Sequence, residues 1–366
     1  MNFFEIRDYN EEYVHLKIDS VVWLDEGMTV TIKDVAELAG CSIKTVSRVV
    51  NDEPHVSKAT RLKVQEAINA LGYAPNFSAR RLVQRKAYMI CVLLHEAGFY
   101  QSQVLSKVMD IGYQHDYDIL IQSYYPSHSR SKEKLESLIR ERRVDGMVIT
   151  PPCDVDGFLT NLLARSQVPT VQITPLNRTA DVPYVSGDDY QGAYLMTERL
   201  ILTGHWRIAF LKGPRNHRTS LDRLYGYKAA LEMYRIPFED EWVVDSLYNF
   251  DGGYNAARIL MGLEEPPTAI FGGSDQAAIG TLYALRELKV NVPGQVSVAG
   301  FDNLPQSNQV WPGLSTVNHP VEDIVARAIE MLMAILAGDV PESKQVVLPC
   351  QLVMRGSTSV PPMGII

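Results

Sequence analysis

The segment IKDVAELAGCSIKTVSRVVN, residues 32–51, contains two short amphipathic stretches that meet at a glycine. In the first stretch, apolar residues recur at the i, i+3, i+4 and i+7 spacing of one buried helix face. Gly40 can adopt the left-handed conformation that ends such a helix. Ser42 is placed to cap a second helix, whose valines point back at the first. We therefore predict two helices packed across a tight turn. Their apolar contacts come from Ile32, Val35, Ala36, Ala39, Val46, Val49 and Val50.

The outward face of the second helix carries Ile43, Lys44, Ser47 and Arg48. One interpretation is an ordinary helical hairpin with a solvated polar face. The other is a helix-turn-helix whose second helix enters the DNA major groove, where Lys44 and Arg48 reach base-edge acceptors. Thr45 and Ser47 would then contact phosphates or bases. These 20 residues alone leave both interpretations open.

Composition and charge limit the class of protein. The chain has 366 residues, 46% hydrophobic and 21% charged, enough for a large core and two or three domains. No apolar run is long enough to span a membrane, and the acidic N-terminus does not resemble a secretory signal. We therefore expect a cytoplasmic protein that does not associate with membranes. Four widely spaced cysteines lack metal-ligand spacing, so we expect reduced thiols, no metal and no cofactor.

The net charge of −8 is unevenly distributed. Residues 28–86 hold ten Lys/Arg and five Asp/Glu, a net charge of +5. Residues 1–27 hold two and seven, a net charge of −5, and the remaining residues carry −8. A basic module on an acidic body favours the DNA-binding interpretation, because the module attracts phosphates and the body is repelled by them.

The basic module continues with a third helix, KATRLKVQEAINAL, which follows Val56 and Ser57 and ends at Gly72. In the segment GYAPNFSARRLVQRK, Pro75 breaks the chain and Asn76 can cap a short fourth helix. Four basic residues surround Leu82 there, which suits a helix that orders on DNA and inserts an apolar wedge into the minor groove. A solvated linker is the alternative.

These segments resemble the DNA-binding headpiece of the LacI/GalR repressors over nearly every position from Thr31 to Leu82. The resemblance implies that Ile43, Lys44 and Arg48 read bases and that Ala79 and Leu82 belong to a minor-groove hinge helix. It also implies a homodimer on pseudo-palindromic, double-stranded operator DNA. The expected DNA-binding residues are Thr31, Ser42, Ile43, Lys44, Thr45, Ser47, Arg48, Asn51, Val56, Ser57, Asn76, Ala79, Arg80 and Leu82.

From about Ala87, short apolar runs alternate with amphipathic helices, which indicates an α/β fold with parallel sheets covered on both faces. About 270 residues exceed one typical domain, so we predict two doubly wound lobes with a cleft between them. Ligands of such folds bind at the carboxyl ends of strands. The predicted buried strands are MICVLL, DILIQS, GMVIT, VPTVQI, RIAFLKG, TAIFGG and VSVAGF.

The resemblance extends through this body, over about residues 28–358, and implies a periplasmic-binding-protein-like core. Matched position by position, it places the effector pocket at Phe99, Tyr100, Thr219, Arg223, Tyr248, Ser274 and Asp302. Aromatic faces can cover a sugar ring, while Arg223 can donate hydrogen bonds to its hydroxyls and Asp302 can accept hydrogen bonds from them. A sugar or sugar phosphate is the first expectation and a nucleobase the second. For each residue alone, ordinary packing or a surface ion pair is the alternative.

Three departures prevent copying the effector from a relative: Asp188-Asp189 replaces the usual Asp-Asn, His217 replaces a frequent Arg, and Ser274 replaces a common Asn or Asp. The chain has no leucine heptads after Arg355, so the resemblance implies a dimer rather than a tetramer. It further implies a two-state repressor in which effector binding changes the angle between lobes and can melt the hinge helix; an inducer and a corepressor fit the sequence equally well.

The predicted domains are a dispensable extension (1–27), a helix-turn-helix headpiece (28–74), a hinge (75–86), the two-lobed core (87–358) and a tail (359–366). An enzyme is the first rival class, but the eight histidines are scattered and no nucleophile elbow or phosphate-binding fingerprint is evident. A transport-type binding protein is the second, although it would need an export signal and has no use for a basic headpiece.

Overall fold

The computed structural model describes residues 30–50, 53–73, 86–95, 98–155, 157–178 and 181–361. The chain divides into two compact units, Met1–Arg85 and Lys86–Ile366, which are considered separately below. The predicted extension over residues 1–27 lies outside the described residues, as does nearly all of the predicted hinge. The same holds for Asn51, Asn76, Ala79, Arg80 and Leu82.

The first unit contains the predicted helix-turn-helix and a third helix. They are α1 (Ile32–Leu38), α2 (Ile43–Val50) and α3 (Lys58–Leu71). Gly40 and Gly72 both have φ of +60°, which confirms their role in ending α1 and α3. Ser42 Oγ accepts a hydrogen bond from Thr45 N, and Ser57 Oγ accepts one from Thr60 N. The three helices enclose a small core of Val35, Ala36, Val46, Val49, Val64 and Ala67.

The second unit is an α/β body with two six-stranded sheets, which confirms the predicted two lobes. In the first lobe the strand order is β11-β5-β4-β3-β1-β2, and every neighbouring pair is parallel. These strands are β1 (Met89–Leu94), β2 (Asp118–Ser123), β3 (Gly146–Ile149), β4 (Thr170–Ile173), β5 (Tyr184–Gly187) and β11 (Gln345–Leu348). The helices of this lobe are α4 (Phe99–Gln114), α5 (Ser129–Arg140), α6 (Gly157–Ser166) and α11 (Val321–Ala337).

The second lobe has the strand order β12-β10-β9-β8-β6-β7, in which only β12 is antiparallel to its neighbour. The strands are β6 (Ile208–Lys212), β7 (Val243–Asp245), β8 (Ala269–Gly272), β9 (Ser297–Asp302), β10 (Ser315–Asn318) and β12 (Gln351–Val353). The helices are α7 (Asp189–Leu202), α8 (Arg218–Met233), α9 (Phe250–Leu260) and α10 (Asp275–Glu287). The chain thus passes between lobes after β5, after β10 and between β11 and β12.

All seven predicted strands are present, but DILIQS is not buried as expected. It forms β2, whose residues are partly or fully exposed, because β2 lies at the edge of its sheet. Five further strands, β5, β7, β10, β11 and β12, lack the long apolar run on which the prediction depended. Each has only three or four residues, several of them polar.

Two further observations concern the described residues. None of their helices is both long and apolar enough to cross a membrane. Ser359, which was assigned to the predicted tail, is hydrogen-bonded to the second lobe through Ser297 and His205.

Candidate functional site

The outward face of α2 is the candidate nucleic-acid surface. The Ile43 side chain is 46% exposed on this face. Lys44 is exposed and Arg48 is partly exposed, with its Nε 3.7 Å from the Glu53 carboxylate. The Thr45 hydroxyl is hydrogen-bonded to Ser42 Oγ at 2.9 Å. The helix therefore presents one apolar and two cationic side chains beside each other.

The caps hold this surface in place. Thr31 donates from its backbone N and its Oγ1 to Asp34 Oδ2, which fixes the start of α1. Val56 packs against the three-helix core, and Ser57 caps α3. Of the predicted DNA-binding residues that the structure describes, Thr31, Ser42, Val56 and Ser57 thus have structural roles in the headpiece, while α2 supplies the exposed side chains.

A second candidate site lies in the cleft between the two lobes. All seven predicted effector residues line one cavity of about 390 Å³ there. Each lies at or just after the end of a strand or in the first turns of the helix that follows, so the cavity opens at the carboxyl ends of both sheets. Phe99 and Tyr100 come from the first lobe and the other five residues from the second. The cavity also includes residues that the sequence did not single out, namely Gly98, Gln101, Pro151, Thr174, Pro214, Leu247, Asn249, Gln276 and Leu304, together with the flagged His217.

Local backbone geometry positions several of these side chains. Asn249 caps α9 and Ser274 caps α10 through side-chain hydrogen bonds. Tyr248 has φ of +59° and Asp302 has φ of +112°, conformations that are costly for residues with a Cβ. Gly213 allows the Tyr248 ring to approach, because a Cβ at that glycine would overlap the ring.

Arg223 is the electrostatic centre of the cleft and is only 3% exposed. Its Nε donates to Asp189 Oδ1 at 2.8 Å, and its Nη1 donates to the Gly273 carbonyl at 2.6 Å. Its Nη2 lies 3.0 Å from Asp302 Oδ1. The guanidinium also stacks 3.6 Å from the centre of the Phe301 ring. Arg223 and Asp302 therefore form an ion pair, which was the alternative to ligand binding considered from the sequence. Both residues also line the cavity.

The charges of this cluster shift its pKa values. Burial alone would raise the pKa of Asp189, but the charges of Arg223 and His319 lower it to about 2. Burial raises the pKa of Asp302 despite the nearby Arg223. The pKa of Arg223 is raised, because its carboxylate partners outweigh the cost of burying its charge. Burial, with a smaller effect from Arg223, lowers the pKa of His217 to about 4.

Asp189 and His319 are the functional candidates that sequence reasoning did not assign. His319 Nε2 lies 3.6 Å from Asp189 Oδ2, and neither atom has a hydrogen-bond partner among the described residues. Asp189 follows β5 and His319 follows β10, so the two residues lie at two of the three passages between lobes. The only sequence signal was the Asp188-Asp189 pair, which was noted as a departure without a role.

Three buried hydroxyls also belong to cavity-lining residues, those of Tyr100, Thr174 and Tyr248. None of them makes a hydrogen bond of good geometry with the described residues, although the Thr174 hydroxyl lies close enough to lower the pKa of Tyr100 and Ser220 has the same effect on Tyr248. Leaving a buried polar group unsatisfied costs about 1–3 kcal/mol, so such groups are suited to binding a ligand that can hydrogen-bond to them. The described residues contain no cluster of three or more His, Cys, Asp or Glu that could hold a metal.

Comparisons with known proteins agree with this architecture. Residues 31–76 match the family described as bacterial regulatory proteins, lacI family, and residues 197–358 match a periplasmic binding protein-like domain. The chain is 33% identical to catabolite control protein A of Priestia megaterium, over 90% of this chain and 100% of that protein.

Two solved structures share the fold over most of the chain. A complex of the transcriptional regulator CelR with cellobiose is 29% identical, with a TM-score of 0.69 over 90% of this chain and 99% of that one. The Lac repressor dimer bound to operator and the anti-inducer ONPF is 28% identical, with a TM-score of 0.79 over 91% of this chain and 100% of that one. The chain described here belongs to the LacI/GalR family of transcriptional regulators.

Proposed function

We propose that this protein is a cytoplasmic, homodimeric repressor that binds operator DNA through α2 and responds to a sugar bound between its lobes. The observation that carries this proposal is the convergence of seven residues from both lobes on one cavity, in a chain that also holds a helix-turn-helix. A binding cleft and a DNA-reading helix on one chain suit a ligand-controlled regulator. Catalysis has no part in this proposal.

On the DNA side, two copies of α2 enter adjacent major grooves of a pseudo-palindromic site. Lys44 and Arg48 donate to base edges, and the exposed Ile43 makes apolar contact with a thymine methyl group. Leu82 of each copy is proposed to insert into the minor groove at the centre of the site. The relative known as the Lac repressor was solved as a dimer on its operator, which supports this arrangement.

On the effector side, the chemistry of the cavity favours a polyhydroxylated ring. Phe99 and Tyr248 offer apolar faces, while Arg223 and Asp302 offer a charged donor and a charged acceptor. The buried hydroxyls of Tyr100 and Thr174 can form further hydrogen bonds with such a ring. The relative CelR was solved with cellobiose, which supports a sugar over a nucleobase for this chain.

Ligand binding can change the angle between lobes because the cavity takes residues from both. Phe99 and Tyr100 approach from the first lobe, while Arg223 and Asp302 belong to the second. A ligand that contacts both sets stabilises the closed arrangement in proportion to its differential affinity for that state. A coupling free energy of about 1–3 kcal/mol would change operator affinity roughly 5- to 150-fold.

The test begins with operator selection from random duplex DNA by the full-length protein. Binding to the selected duplex is then measured by fluorescence anisotropy, with and without each member of a panel of sugars and nucleosides. We expect a palindromic site with affinity that changes when one sugar is added. A Lys44→Ala, Arg48→Ala double variant serves as the DNA-binding control. Absence of any specific DNA binding, or a response to nucleosides alone, would contradict the proposal.

A further inference from the structure

The charge balance of the cleft restricts what can bind there. Among the described residues that line the cavity, Arg223 is the sole Lys or Arg. Its guanidinium already contacts two carboxylates, Asp189 at 2.8 Å and Asp302 at 3.0 Å, and a backbone carbonyl. A phosphate or carboxylate on a ligand would therefore meet a cation that is neutralised in advance.

Asp189 supplies one counter-charge to Arg223, while its second oxygen faces His319 at 3.6 Å. It is 1% exposed, and its low pKa means that it carries a full negative charge at neutral pH. The carboxyl of Asp302, 3.0 Å from Nη2, contacts a second edge of the same guanidinium. The other cavity-lining groups do not change this balance, because His217 has a pKa of about 4 and is neutral at pH 7. The raised pKa values of Tyr100 and Tyr248 keep both phenols neutral as well.

What the cavity offers instead is neutral hydrogen bonding. Tyr100, Thr174 and Tyr248 bring buried hydroxyls that make no hydrogen bond of good geometry with the described residues, while Asn249 and Gln276 bring amides. Hydroxyl groups can donate and accept, so a polyol satisfies such a lining without burying a charge. An anionic group would lose its hydration and gain two nearby carboxylates in exchange.

We propose that the effector is an uncharged sugar, and that Asp189 is the specificity-determining residue that excludes phosphorylated and carboxylated sugars. The inference rests on the proposed function, since it concerns the ligand of the same cleft. The sequence alone led us to expect a sugar or a sugar phosphate, and this inference excludes the sugar phosphate. Asp189 does not itself line the cavity and acts through the charge of its carboxylate, which lies 2.8 Å from Arg223 Nε.

The test measures binding by isothermal titration calorimetry to the full-length protein at constant ionic strength and pH 7.5. The probes are matched pairs: glucose and glucose 6-phosphate, ribose and ribose 5-phosphate, galactose and galacturonate, with cellobiose as an additional neutral disaccharide. For the pair that contains the binding sugar, we expect the anionic member to bind at least about 100-fold more weakly, as like-charge contacts in an interface require.

Two isosteric variants test the role of Asp189. Asp189→Asn removes the charge beside Arg223, and we expect the ratio of anionic to neutral dissociation constants to fall at least about tenfold. Asp188→Asn is the matched control, because it removes the same charge from the neighbouring residue, whereas Arg223 Nε is bonded to Asp189. Asp188 caps α7 by accepting from Gln191 N, a role that Asn fills equally well, so its ratio should equal that of the wild type.

The outcomes are distinguishable. If a sugar phosphate or uronate binds as tightly as its neutral partner, the inference is wrong while the proposed sugar response stands. An unchanged ratio in a folded Asp189→Asn variant would remove Asp189 from specificity. If circular dichroism shows that this variant is unfolded, the wild-type ratio decides between neutral and anionic ligands. If neither the neutral nor the anionic probes bind, the inference and the proposed sugar response both fail. Operator binding by the same sample is measured separately and tests the DNA-binding part of the proposed function.

Discussion

Arg223 Nε donates a 2.8 Å hydrogen bond to Asp189 Oδ1, and this contact joins the effector cavity to one of the passages between lobes. Asp189 is the first residue of α7, directly after the chain leaves the first sheet at β5. Its other oxygen faces His319 across 3.6 Å, and His319 lies at the return passage. A ligand hydrogen-bonded to the guanidinium would therefore lie close to residues beside two of the three segments that connect the lobes.

Arg48→Ala in α2 should weaken operator binding. The variant loses one cationic contact, so we expect the slope of log affinity against log salt to fall by about one if that contact is to phosphate. Loss of a base contact instead would cost about 1–3 kcal/mol and relax sequence preference at one position. Salt-dependent anisotropy titrations measure both. Arg61→Ala, on α3, serves as the control, and equal effects of the two variants would count against a base-reading α2.

Asp302→Asn should reduce effector affinity without changing operator affinity in the absence of ligand. Arg223 keeps Asp189 as its charged partner, so the fold is retained, while the ligand loses a charged hydrogen bond worth about 1.5–3 kcal/mol. Calorimetry with the binding sugar measures the change, and the exposed Asp323→Asn is the control. A lower melting temperature with effector affinity within about twofold of wild type would show that Asp302 only fastens the loops together.

Arg223→Ala should destabilise the core as well as abolish the response. The change leaves Asp189 buried beside no arginine, and removing one partner of a buried ion pair typically costs about 3–5 kcal/mol. Urea denaturation followed by circular dichroism measures the free energy of unfolding. Arg258→Ala, on the second-lobe helix α9, is the comparison. If Arg223→Ala unfolds at the same urea concentration as wild type, the ion cluster does not support the fold.

Gly253→Ala should lower stability by about 2 kcal/mol or more, because overpacking forces a backbone shift. Gly253 lies where α9 crosses α10, and an added Cβ would overlap the Ala277 carbonyl. At Gly262, just after α9, the nearest atom to an added Cβ is 3.4 Å away. Gly262→Ala should therefore be nearly neutral. Thermal unfolding of both variants checks the comparison, and similar melting temperatures would mean that the helices separate at little cost.

The protein should lose stability as the pH falls from about 6.5 towards 4, in part through His217. Its pKa drops from 6.5 to about 4 on folding, chiefly because it is buried. As the pH falls, the unfolded chain therefore binds the proton before the folded chain does. The contribution of neutral His217 to the free energy of unfolding is complete above about pH 6.5 and is lost as the pH falls through about 4. Urea midpoints between pH 4 and 8 should fall less steeply for His217→Gln than for wild type. His115→Gln replaces an exposed histidine and should leave the slope as it is. Parallel profiles for wild type and His217→Gln would contradict the assignment.

The sequence by itself determined the headpiece and the fold class. The spacing of Val35, Val46 and Val64, the stops at Gly40 and Gly72 and the caps at Ser42 and Ser57 are local signals. Such signals act within one or two helical turns, so they can be read directly from the chain. Apolar runs likewise located the central strands, since a strand covered on both faces must be apolar throughout. The seven predicted effector residues came from a family resemblance, and the structure places all of them around one cavity.

The tertiary structure alone decided how those residues are paired. Asp189, Arg223 and Asp302 are separated by tens of residues, and only the packing of α7, α8 and β9 brings their charges within 3.0 Å. β2 is exposed because it lies at the edge of its sheet. Five short strands form through pairing with neighbouring strands, although their own residues give little indication of a strand. Pairwise electrostatics depends on distance and burial, neither of which is encoded in local periodicity. The sequence therefore indicated a charged pocket, whereas the fold determined that Arg223 is paired with both Asp189 and Asp302.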